Sequence, residues 1–176
     1  KELKKYCESF NKIYSSSVWD ITSANEIVSL NPSIIKIPSA MNLNFPLLSH
    51  ICKIYNGEIH LSLGMTFNKE IAKKIDFFEN KNKLNNLVIY YCRSSYPAYE
   101  DKLNLNQISK LKSLFGNKIK SIGFSGHHPG ISIDIAAYTL GAEYFERHFT
   151  LNRTFKGTDH AASLEPDGLR RLVRNL

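Results

Sequence analysis

Short apolar runs alternate with longer stretches of mixed polarity along nearly the whole chain. Runs of strand length, rich in β-branched and aromatic residues, fall at 13–18, 34–37, 58–63, 87–92, 119–124 and 144–149. Helix-compatible periodicity fills 24–30, 45–55, 69–78, 106–115, 131–140 and 166–176. A strand followed by a helix, repeated in this way, predicts βαβ units on a parallel sheet. Punctuation agrees with the layout. Pro166 and Asp167 suit the first turn of a terminal helix, where a missing N–H is harmless and a carboxylate meets the positive end of the dipole. Gly116 and Gly141 follow helical patterns as candidate C′ residues.

The number of units raises a question of architecture. Six βα units cannot close the usual eight-stranded barrel, whose strand number and stagger are linked. Either the sheet is open, or the chain lacks the beginning of a barrel, as a start on the helix-like segment 1–10 would imply.

Composition narrows the setting. A chain of 176 residues with 43% hydrophobic residues can bury one substantial core. It has no apolar run long enough for a membrane span, and its charged first residues do not form a signal peptide. A cytoplasmic protein without a membrane partner is the expectation. Cys7, Cys52 and Cys92 are odd in number and lack CxxC spacing, which fits reduced structural thiols. The net charge of +7 comes mainly from lysines scattered over helical stretches, with one local group at Arg170, Arg171 and Arg174. Scattered charge describes a solvated surface, and no nucleic-acid-binding motif accompanies it, so no nucleic-acid partner is expected.

Candidate chemistry collects where strands end. His127 follows the run 120–126 and His148 follows 143–147, 21 positions apart with one helix between them. On a parallel sheet, adjacent strands bring such residues to one rim, and a pair of neutral imidazoles suits a divalent ion that must also hold substrate. Either histidine alone reads more simply as a strand cap; the pair in register favours a site. Lys36 and Ser39, Ser62, Ser94 with Tyr96, and Ser125 also lie at or just past strand candidates. Lys36 sits inside an isoleucine run, and burial of its charge calls for an anion. Any single serine there reads more simply as a turn residue than as a functional one. The polar loop 152–166 carries Asp159 and His160, which read either as acid/base or hydroxyl-binding groups or as parts of a solvated connection. His128 points away from His127 if the backbone is extended, and with His50 and His60 it reads as structural or exposed.

Several of these segments together closely resemble the sialic acid synthase (N-acetylneuraminate synthase) family: Gly123-Phe-Ser-Gly-His-His128, Glu146-Arg-His-Phe-Thr150, Lys156-Gly-Thr-Asp-His-Ala-Ala-Ser-Leu-Glu-Pro166, Lys36-Ile-Pro-Ser39, Leu61-Ser-Leu-Gly-Met65 and Ser94-Ser-Tyr-Pro97. The resemblance implies a TIM-type (β/α)8 barrel, here incomplete with about six units and the first two missing. It implies condensation of phosphoenolpyruvate with an N-acylated amino sugar such as N-acetylmannosamine, releasing phosphate. By the same resemblance His127 and His148 match ligands of Mn²⁺ or another divalent metal. Lys36, Ser39, Ser62 and Ser125 match phosphoenolpyruvate-binding positions, with Ser17 a weaker match. Tyr96 and Asp159 match positions that face the substrates, and Ser94 stands where some members carry Asn. Family members usually end in a small antifreeze-like domain that completes the neighbouring site of a homodimer; residues 1–176 read as a partial barrel domain without it. A non-catalytic remnant retaining the metal and phosphoenolpyruvate half-site is the alternative.

Overall fold

A computed structural model describes residues 1–176. It contains six strands in the order β1 to β6, and the pairs β1–β2, β2–β3 and β5–β6 are each parallel. The chain divides into two compact units, Lys1–Ile89 with Lys118–Lys120, and Tyr90–Asn117 with Ser121–Leu176. Strand β4 (Leu87–Cys92) contributes to both.

The first unit holds α1 (Glu2–Ser9), β1 (Ser15–Ser17), α2 (Ile21–Val28), β2 (Ile34–Ile37), α3 (Phe45–Ile54), β3 (Glu58–Ser62) and α4 (Asn68–Asn80). Along β2, Ile35 and Ile37 are fully buried while Ile34 and Lys36 are half-buried, the alternation that the pleat imposes. Ile59 and Leu61 of β3 and Leu47, Leu48 and Ile51 of α3 are also inaccessible, or nearly so, to water. Each such side chain contributes about 1.5–3 kcal/mol relative to exposure, which is what holds these short strands under their helices. Helix α2 begins three residues earlier than periodicity alone predicts. The Asp20 carboxylate accepts from the Ser23 amide at 2.6 Å, and Ser23 Oγ accepts from the Asp20 amide at 3.1 Å, a reciprocal cap that fixes the start ahead of the apolar stripe.

The second unit holds α5 (Asn106–Phe115), β5 (Ser121–Gly126), α6 (Ser132–Thr139), β6 (Tyr144–Arg147) and α7 (Pro166–Asn175). All six residues of β5 are buried. Gly123 is required there by contact, since a Cβ would stand 2.6 Å from the ring of Tyr90. Pro166 opens α7 with Asp167 in its first turn, as expected. Gly141 has φ +102° beyond the end of α6 and serves as its left-handed C′ residue. Gly116 does not: its φ is −56°, and a Cβ there would instead press on the Lys112 carbonyl oxygen at 2.5 Å. No helix is long and apolar enough to cross a membrane.

Candidate active site

Lys36 and Ser62 meet in the first unit. β2 pairs in parallel with β3 so that Lys36 is opposite His60, two residues before Ser62 on the same face. The Lys36 ammonium donates to Ser62 Oγ at 2.8 Å and to the Ile37 carbonyl at 3.3 Å. Ser17 of β1 is the register partner of Lys36 and so shares that face, and Ser39 opens the short 3-10 turn Ser39–Met41 just past β2. Asn42, which no motif or spacing singles out, is buried in the same unit. Its side-chain amide donates to the Ser62 carbonyl at 3.0 Å and to the Gly64 carbonyl at 2.9 Å, fixing the chain as it leaves β3.

The second unit gathers Tyr96, His127, His148 and Asp159. The two imidazole centroids are 5.2 Å apart, and the Tyr96 ring lies 4.2 Å from that of His127 and 5.6 Å from that of His148. His127 is buried, and its Nδ1 lies 3.0 Å from the Arg93 carbonyl oxygen. A carbonyl only accepts, so Nδ1 carries the proton and Nε2 keeps its lone pair. His148 is part-exposed, with Nδ1 3.7 Å from Asp159 Oδ2. Burial lowers the pKa of both imidazoles. For His127 the Arg93 hydrogen bond and the Glu146 charge work the other way; for His148 the neighbouring His127 adds to the lowering, and Asp159 and Glu146 oppose it. Burial also raises Tyr96 to about 12, helped by nearby acidic groups, so its phenol stays a proton donor at neutral pH.

Ser125 and Glu146 form a second pair in this unit. β5 and β6 run in parallel with these residues in register, and Ser125 Oγ donates to Glu146 Oε1 at 2.8 Å. Ser94 contacts Cys92, Oγ to Sγ 3.6 Å. His160, the other polar candidate in the 152–166 loop, has its Nδ1 2.7 Å from Thr150 Oγ1. Gly157, at φ +152°, lets the chain pass over that ring, where a Cβ would be 2.8 Å from it.

The donor set fits a divalent ion. Two imidazoles held mostly neutral, one with Nε2 left open, are suitable ligands, and carboxylates stand near both. No group of three or more His, Cys, Asp or Glu side chains is gathered for a metal. A two-histidine site leaves coordination positions for water and substrate oxygens.

A parallel α/β sheet whose strands follow in chain order, with polar and titratable groups at their ends, fits a TIM-barrel-type scaffold. The chain belongs to the NeuB family, which it matches over residues 1–176. It is 38% identical to the N,N'-diacetyllegionaminic acid synthase of Campylobacter jejuni, over 100% of this chain and 52% of that protein. It is 36% identical to the human N-acetylneuraminate-9-phosphate synthase, over 100% of this chain and 48% of that protein. The chain thus spans about half the length of these curated relatives. Among solved structures, the sialic acid synthetase of Leptospira borgpetersenii superposes with a TM-score of 0.91 at 32% identity, over 99% of this chain and 59% of that one. A Thermotoga maritima phospho-2-dehydro-3-deoxyheptonate aldolase, at 15% identity and a TM-score of 0.79, shares the fold, over 98% of this chain and 52% of that one.

Proposed function

We propose that this protein carries the phosphoenolpyruvate- and metal-binding machinery of a cytoplasmic nonulosonic acid synthase. In the proposed reaction, carbon 3 of phosphoenolpyruvate bonds to the aldehyde carbon of an N-acylated amino sugar, water adds at carbon 2, and phosphate leaves. The observation that carries this reading is the His127–His148 pair at 5.2 Å beside Tyr96, in a chain of the NeuB family.

Each group has a role its chemistry supports. Lys36 supplies the positive charge for the phosphate or carboxylate of phosphoenolpyruvate, oriented by its bond to Ser62, with Ser39 as a further donor. His127 and His148 hold Mn²⁺ or another divalent ion through lone-pair nitrogens, and such an ion, when bound, polarises a carbonyl oxygen. Tyr96 donates from a phenol that keeps its proton, and Asp159 accepts from sugar hydroxyls. Ser125, hydrogen-bonded to Glu146, is a further phosphoenolpyruvate contact, and Ser94 contacts substrate from the end of β4. N-acetylmannosamine is the proposed first sugar to test, and a homodimer the proposed assembly.

Phosphate release from phosphoenolpyruvate and N-acetylmannosamine, with and without Mn²⁺, tests the reading on wild type and His127→Ala. Mn²⁺-dependent release that disappears in a folded His127→Ala supports it. Release indifferent to both metal and His127 overturns it. Binding of Mn²⁺ and phosphoenolpyruvate without turnover selects a non-catalytic half-site instead.

A further inference from the structure

Beneath the imidazole pair lies a buried charged cluster that the proposed reaction does not use. The pleat sends Ser125 and Glu146 to one face of β5–β6, and Phe124, Phe145 and Arg147 to the other. On that other face the Arg147 and Asp134 side chains pair directly, and their side chains are only 3% and 0% exposed. His128 is 0% exposed, stacks on Phe124 at 5.8 Å, and places Nε2 3.1 Å from Arg147 Nη1 and 3.2 Å from Asp134 Oδ2. Arg147 also donates to the His128 carbonyl at 2.7 Å and to the Gly130 carbonyl at 2.9 Å. Gly126 is matched to this cluster, since a Cβ there would stand 3.0 Å from Arg147 Cδ and 3.0 Å from His128 Cε1.

We infer that Arg147, held by Asp134, is a positioning residue that sets the spacing of the His127 and His148 imidazoles. It immediately precedes His148 in the chain, and its guanidinium grips the carbonyl of His128, the residue that follows His127. One rigid planar group thereby ties together the backbones that carry both rings. Arginine's planar fork suits this: Nη2 serves the His128 carbonyl, and the two N–H groups of Nη1 are shared among the Gly130 carbonyl, the Asp134 carboxylate and His128 Nε2. Asp134 supplies the countercharge that makes burying it tolerable. His128 Nδ1, Asp134 Oδ1 and Arg147 Nε have no protein partner.

The inference rests on the metal reading for its purpose but not for its geometry, and the test separates the two. Two variants of the full chain serve: Arg147→Lys, which keeps the charge but not the fork, and the apolar double variant Asp134→Leu with Arg147→Met. In metal-free protein labelled with ¹³C-histidine, wild type should show a nuclear Overhauser effect between the His127 and His148 rings. Arg147→Lys should remain folded by circular dichroism, lose that signal, and bind Mn²⁺ about 10–100-fold more weakly by titration of the free-ion resonance. If Arg147→Lys does not fold, the double variant is read in the same way. A folded variant that keeps both signal and affinity, a wild type without the signal, or loss of fold in both variants overturns the positioning role. Wild type with the signal but no Mn²⁺ binding sinks the metal reading alone.

Discussion

Ser125 Oγ donates to Glu146 Oε1 at 2.8 Å, from neighbouring parallel strands whose register sets the two residues side by side. Each stands two residues before one of the paired histidines, so the bond joins the two strands just below the imidazoles. It also anchors a carboxylate whose charge favours the protonated form of both rings, against the burial that disfavours it.

Replacing that carboxylate should move both imidazoles in one direction. In Glu146→Gln the opposing charge is gone while the Ser125 hydroxyl keeps an oxygen acceptor, so the pKa values of His127 and His148 should fall further below the ordinary 6.5. Histidine-resolved NMR titration measures this directly. The sign carries through to stability. Because the folded pKa is depressed, the unfolded chain takes up protons first as pH falls through about 6.5, and stability declines until the folded value is reached. Glu146→Gln should extend that decline to lower pH. Unmoved titrations would show that Glu146 does not act on the rings.

Asn42 makes a sharper stability prediction. Its buried amide satisfies two carbonyls, those of Ser62 and Gly64, with bonds of 3.0 and 2.9 Å. Asn42→Leu is similar in size but leaves both acceptors without that partner, and an unsatisfied buried group costs about 1–3 kcal/mol. Urea denaturation should show a loss in that range. Because the same bonds set the exit from β3, phosphoenolpyruvate affinity should fall with it. A loss under about 0.5 kcal/mol would mean that the carbonyls find water in place of Asn42.

The strands, the helices and most of the polar strand-end residues were legible in the sequence because a burial period of two or of 3.6 is written directly into residue order. Ile34–Ile37 shows this: two isoleucines are buried and the lysine between them shares the other face with Ser62. Asn42, Asp134 and Arg147 were not legible, because what makes them matter is a partner far along the chain. Asn42 is 20 residues from Ser62, and Arg147 is 13 from Asp134. Arg147 lies at the end of a strand candidate, and its burial depends on the helix that carries its partner Asp134. His128 shows the intermediate case. Alternation correctly turned it away from His127, yet nothing local indicated that it would be fully buried against an arginine.

Lys74 sits on the buried side of α4 beside Ile75 and Phe78, with 0% of its surface exposed and no hydrogen-bond partner for Nζ. Burial pulls its pKa down to about 8, with Glu70 one turn earlier opposing the shift. A buried ammonium without a partner opposes folding, so Lys74→Met, similar in length and apolar, should stabilise the protein at pH 7 by roughly 1–3 kcal/mol. The pH dependence identifies the cause. Between the folded value of about 8 and the unfolded value of about 10.4, the unfolded chain holds more protons, so wild-type stability rises with pH across that window. The advantage of Lys74→Met should therefore be full below pH 8 and shrink towards pH 10. Parallel urea melts of the two proteins at pH 7, 8, 9 and 10 measure the difference. A constant gap would assign the gain to packing, and a loss of stability in the variant would mean that the ammonium is paired in solution.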